Sequence, residues 1–145
     1  MKNLKPQTAH LKPEAIPYKM LSQDAFSQWL GIEILECERG RCKVGMTIRN
    51  EMLNSMGKAH GGISYALADT AFGFSANTHG KYAVSIDTSI NHIEALEEGD
   101  YLTAEATLDL QKTKVGFNIV EVKRGEELVA LFKGVAYRTG KDWEE

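Results

Sequence analysis

Apolar and polar positions alternate cleanly along RCKVGMTIR: Cys42, Val44, Met46 and Ile48 fall on one side, Lys43, Gly45, Thr47 and Arg49 on the other. A period of two predicts a strand with one covered face. A second strand, residues 32–37, precedes it across a turn at Glu38-Arg39-Gly40-Arg41. Beyond Gly80 the same period returns. Val84 and Ile86 alternate with Ser85 and Asp87 within residues 82–93, and Leu102, Ala104, Ala106, Leu108 and Leu110 share one side of residues 101–110. Residues 115–122 and 128–137 complete four strands, with turns at Glu98-Gly99-Asp100 and around Gly125.

Two stretches follow the helical period instead. Phe26, Trp29 and Leu30 predict a short amphipathic helix, with Ser22 as N-cap and Gly31 as its end. The longer stretch opens at Gly61-Gly62. Its stripe of Ile63, Ala66, Leu67, Thr70, Ala71 and Phe74 is expected to face the sheet. The opposite side carries Gly62, Tyr65, Asp69, Phe72, Gly73 and Ala76, so it too reads as covered. In a short chain the second cover is expected to be another copy of the protein.

One long helix among antiparallel strands, three of the last four in a meander, is an α+β layer solution. Residues 1–20 read as an N-terminal arm, 21–140 as one domain and 141–145 as a C-terminal tail. The 145 residues are 43% hydrophobic, enough to bury one core. The net charge of −3 gives no footprint for nucleic acid. Neither a basic amphipathic helix nor a spanning apolar run points to a membrane. The polar, Pro-dotted start lacks a leader's apolar region, which makes the cytoplasm the expected compartment. Cys37 and Cys42 flank the first turn and face each other across two strands. In the cytosol they are expected as reduced thiols, with neither a disulfide nor a metal site.

Between Lys58 and Lys81 the only formal charge is Asp69. Asp is a poor helix former, and a buried carboxylate is costly unless it is paired. Such an acid is either a paired structural group or a functional one. The glycines upstream read either as an ordinary turn or as a helix start whose free N–H groups accept an anion or a developing oxyanion. Ser64 follows His60 by one helical turn, but GGISY is not a nucleophile elbow, so no Ser–His nucleophile is expected. His10 and His79 read as surface residues.

Asn54, His60-Gly61-Gly62, Leu67-Ala68-Asp69-Thr70-Ala71-Phe72 and Val84-Ser85-Ile86-Asp87 together resemble the PaaI-type acyl-CoA thioesterases of the hotdog fold. The likeness covers residues 29–137. It implies a curved antiparallel sheet wrapped around one long central helix, and a dimer or tetramer with active sites at the dimer interface. The implied reaction hydrolyses an aryl or medium-chain acyl-CoA to the free acid and CoA. Coenzyme A is part of the substrate, and neither a metal nor a further cofactor is needed.

The implied roles fall on named residues. The Gly61 N–H polarises the thioester carbonyl, and Asp69 of the partner chain acts as general base or nucleophile. Asn54 places water or the carbonyl, His60 fixes the loop, and Ser85 assists Asp69. Gly62, Tyr65, His92, Lys112 and Lys114 are the expected contacts to substrate and CoA. The chain departs from the family pattern at His92-Ile93-Glu94-Ala95-Leu96-Glu97, where relatives carry a basic residue and a proline, and at Gln111-Lys112-Thr113-Lys114. A non-catalytic acyl-CoA sensor on the same fold is the alternative.

Overall fold

A computed structural model describes residues 10–144. β1 (Glu33–Glu38) and β2 (Arg41–Thr47) form the expected hairpin. Gly40, at φ 80°, closes its turn. The helix α3 (Gly61–Asn77) follows, then β3 (Lys81–His92), β4 (Tyr101–Gln111), β5 (Val115–Arg124) and β6 (Glu127–Asp142). The six strands pair antiparallel in the order β1-β2-β4-β5-β6-β3. One sheet face wraps α3, with Val44, Leu102, Val120 and Phe132 in one core with Leu67 and Phe72. Each such side chain contributes about 1.5–3 kcal/mol by leaving water. The architecture is the α+β hotdog arrangement expected above.

The second face of α3 is half-covered within one chain, in part by the segment before the sheet, and the division of the helix faces differs from the expectation. Ser64, Leu67, Ala68, Ala71, Phe72 and Ser75 are buried, while Tyr65, Ala66, Asp69, Thr70 and Gly73 are half-covered. Phe72 therefore belongs to the core. Its ring lies over Gly134, where an added Cβ would come within 2.7 Å of it. With apolar residues on both sides, helical periodicity alone could not tell the sheet-facing stripe from its opposite.

The expected N-terminal arm is partly folded, and its residues 1–9 lie outside the described residues. Pro13–Ala15 form a 3-10 turn, and α1 (Ile16–Ser22) buries Ile16 completely. α2 (Ala25–Leu30) is capped by Asp24, whose carboxylate accepts from the Ser27 N–H at 2.9 Å. Ser22 is not the cap. It ends α1, with its hydroxyl donating to the Lys19 carbonyl. Leu30 is buried, but Phe26 and Trp29 are more than half exposed.

The C-terminal tail is continuous with the sheet, since β6 runs to Asp142; residue 145 lies outside the described residues. Trp143 stacks on Tyr82 at 3.9 Å between ring centroids, and its indole N–H donates to Asn77 Oδ1. The same Asn77 amide accepts from the Ala83 N–H and donates to the Gly73 and Ala83 carbonyls. One buried side chain thus ties the end of α3 to β3 and to the chain end.

Two further expectations are corrected. Cys37 and Cys42 are register partners with Cα atoms 4.3 Å apart, and their sulfurs are joined as a disulfide. His79 is half-buried, and burial, with Arg138 and Arg39 nearby, holds its imidazole below the usual range.

Candidate active site

Two clefts flank α3, and the residues singled out in the sequence divide between them. The first, about 330 Å³, is lined by Asn54, Lys58, Gly61, Ser64, His92 and Glu94, among others. It sits at the start of α3. His60 is the N-cap, with its Nδ1 accepting from the Gly62 N–H at 2.9 Å, and the Ile63 N–H donates to the His60 carbonyl. The Gly61 N–H has no acceptor among the described residues. It therefore stands open at the positive end of a helix of 17 residues.

A Cβ on Gly61 would lie 3.2 Å from His92 Nε2, close enough that the exposed imidazole would have to shift by a few tenths of an ångström. Asn54 lies in the loop before the helix, where its Oδ1 accepts from the Met56 and Lys58 N–H groups at 2.9 and 3.1 Å. Two N–H donors fix which end of the amide is oxygen, so Nδ2 is the end left free to donate.

The second cleft, about 410 Å³, is lined by Met20, Phe26, Gly62, Tyr65, Asp69 and Phe74, with other residues of α2 and α3. Asp69 is half-buried, and desolvation holds its carboxyl above the usual carboxylate range. Tyr65 forms part of the wall, edge-on to Phe132 at 5.5 Å and with its hydroxyl against that of Thr88.

Asp69 and Gly61 are eight residues apart on one helix. That spacing is about 12 Å along the axis and about 80° around it. Asp69 and the open Gly61 N–H therefore do not meet within one chain.

β3 is a free edge among the described residues, paired only with β6. The alternation expected there is broken by a bulge between Ser85 and Asp87. Ser85 pairs with the buried Ala136, so it lies on the helix side of the sheet, at the free edge where it is itself exposed. Val84 and Ile86 are 53% and 59% exposed. Lys112 and Lys114 sit on the β4–β5 hairpin. The adjoining Gln111 shares a small cavity with Ala76 and His79 at the far end of α3. The structure does not bring these lysines to Gly61 within the chain.

Sequence reasoning gave Ser64 no role. The structure pairs its buried hydroxyl with His92 Nδ1 at 3.2 Å. The pair spans 28 residues and forms only when β3 packs on α3, so no local motif announces it. A further hollow of about 310 Å³, around Asp87, Asp109, Phe117 and Lys133, holds none of the expected site residues. Among the described residues no cluster of three or more His, Cys, Asp or Glu side chains could hold a metal, and no helix is long and apolar enough to cross a membrane.

Comparison with known proteins adds to this geometry. The family model of the thioesterase superfamily matches residues 56–131. A putative esterase of Archaeoglobus fulgidus is 38% identical over 131 residues, covering 90% of this chain and 85% of the relative. The acyl-coenzyme A thioesterase PaaI of Escherichia coli is 36% identical over 124 residues, covering 85% of this chain and 89% of its own. A solved structure of E. coli PaaI, from the phenylacetic acid degradation operon, superposes with a TM-score of 0.88 at 34% identity, over 91% of this chain and 96% of that one. A Streptococcus mutans protein bound to acetyl-CoA superposes with a TM-score of 0.73 at 26% identity, over 77% of this chain and 90% of that one.

Proposed function

The chain belongs to the thioesterase superfamily, and from that premise we propose that it hydrolyses acyl-CoA to the free acid and CoA at a site shared by two copies of itself. The observation that carries this reading is the open Gly61 N–H on a cleft wall, at the head of α3. It donates to the thioester carbonyl and holds the oxyanion that forms when the carbonyl carbon is attacked. Asn54 Nδ2 donates to the same oxygen or to the attacking water. His60 keeps the loop in place through its cap on Gly62.

The base is Asp69 of the other copy, because the acid of the same chain lies too far along the helix. Its carboxylate takes a proton from water as the water oxygen bonds to the acyl carbon, and returns that proton to sulfur as the C–S bond breaks and CoA leaves as the thiol. In the other route the carboxylate attacks the carbon itself and expels the thiolate; water then cleaves the resulting acyl–aspartyl anhydride, giving the free acid and restoring Asp69, and a water proton completes the CoA thiol. Ser85, on the helix side of the free edge, assists Asp69 or its water. The cleft lined by Tyr65, Phe26 and Phe74 takes the acyl group. An aryl group suits these rings and agrees with the operon of the E. coli relative. The segment from His92 to Leu96 takes the CoA arm. Lys112 and Lys114 have no part in the cleft of their own chain. A second copy pairs along β3, whose exposed Val84 and Ile86 and unpaired backbone suit such an addition. Water is the only co-reactant.

Free-thiol release from a panel of aryl and aliphatic acyl-CoAs, run beside Asp69→Asn, tests the reading. Turnover that is lost in the variant supports it. Binding of CoA esters without turnover would favour a sensor instead.

A further inference from the structure

Ser64 and His92 form a buried-to-exposed pair on the wall of the cleft that contains Gly61, and the proposed mechanism gives Ser64 no role and names no atom of His92 that meets the CoA arm. The Ser64 hydroxyl is 2% exposed and lies 3.2 Å from two atoms, the Gly61 carbonyl oxygen and His92 Nδ1. A carbonyl only accepts, and a serine has one hydrogen to give. Making both bonds sends that hydrogen to Gly61, so His92 Nδ1 must donate to Ser64 Oγ. The neutral ring is thereby fixed as the Nδ1–H tautomer. Its Nε2 becomes an acceptor, set beside the missing Gly61 side chain at 3.2 Å from where a Cβ would stand.

The polar groups of this cleft thus form a pattern. Gly61 N–H and Asn54 Nδ2 are donors suited to a carbonyl oxygen, and His92 Nε2 is an acceptor suited to an N–H. Glu94, the other acceptor side chain on the wall, is exposed, where a carboxylate stays hydrated. A thioester of CoA carries both complements close together: the acyl oxygen, and an amide N–H three bonds beyond the sulfur. An alkyl thioester carries only the first.

We propose that His92, fixed by Ser64, accepts a hydrogen bond from this first amide N–H of the thiol arm, and so selects thioesters of N-acylated cysteamine. The inference rests on the thioesterase reading and adds the choice of thiol to it. His92 contacts the substrate; Ser64 is a positioning residue.

The test uses one acyl group on two thiols, N-acetylcysteamine and 1-butanethiol, and reads the ratio of kcat/KM between the two esters. The full-length protein is expected to favour the amide-bearing ester about tenfold, the effect of one well-placed hydrogen bond. His92→Phe keeps a ring without the acceptor and should bring the ratio close to one. His92→Gln restores an acceptor and should recover part of it. Ser64→Ala, which frees the tautomer, should give an intermediate ratio. A ratio in His92→Phe equal to that of the unaltered protein overturns the proposal, as does an unaltered protein with no preference. Failure of the thioesterase reading looks different: no thiol is released from either ester or from any acyl-CoA.

Discussion

Asp69 and Gly61 share helix α3 yet open into different clefts, about 12 Å apart along its axis. A site that uses both must draw them from two chains, and this can be tested by complementation. Asp69→Asn and Gly61→Val should each be inactive alone. Mixed and reassembled, they should recover about a quarter of normal turnover. Half of randomly formed dimers are hybrids, and each hybrid has one intact site out of two. No recovery in the mixture, with hybrids shown to form, would place both groups in one chain's site.

Asp69→Asn keeps the shape of the side chain and removes both its basicity and its nucleophilicity. Turnover should fall about 100-fold or more. The measurement is steady-state thiol release; a variant within a few-fold of normal would remove Asp69 from the chemistry.

The same substitution should have a pH-dependent effect on stability. Burial holds the Asp69 carboxyl above its unfolded value, so the folded state binds this proton more tightly than the unfolded state. Stability from this group is full below the unfolded value, about pH 4, and is lost as pH rises through the folded one. At neutral pH the ionised acid is a cost, and Asp69→Asn should melt at a higher temperature than the unaltered protein. That advantage should vanish at acid pH. Melting curves across the range decide it, and equal Tm values at neutral pH would deny the desolvation.

Charge placed on the free edge should separate the copies. Ile86→Glu, at a position 59% exposed in the single chain, should yield monomers in sedimentation and lose turnover with assembly. An active monomer would show that one chain completes its own site.

Asn77 is 2% exposed and serves β3, α3 and Trp143 with one amide. Asn77→Ala leaves several of those partners unmet and should cost about 3 kcal/mol of folding stability. Urea unfolding would show it as an earlier midpoint with an unchanged slope.

The strands were legible because their period is strict, so that Cys42, Val44 and Met46 could occupy only one face; the long helix was legible as a run uncharged but for Asp69 and opened by Gly61-Gly62. Phe72 was not, because α3 is apolar on both sides and nothing local tells the sheet-facing stripe from its opposite. The alternation of Val84 and Ile86 with Ser85 and Asp87 marks a strand, but nothing local tells that the fold leaves these two exposed at an edge. Gly61 and Asp69 stood out, one as a glycine at a helix start and the other as a lone charge. Ser64 and His92 did not, since nothing in either stretch marks a contact made only when β3 meets the helix. Asp24 took the cap from Ser22 because α1 extends to Ser22 itself.

The open edge of β3 also bears on how the protein survives inside a cell. Its 12 residues carry two charged side chains, Lys81 and Asp87, and no proline. Little therefore keeps that edge from the wrong neighbour. If a second copy covers β3 as proposed, a newly made chain is safest when a sister chain is close by. Low expression, or a variant that pairs weakly, should show up first as insoluble protein or rapid degradation, before any assay of its chemistry registers a loss.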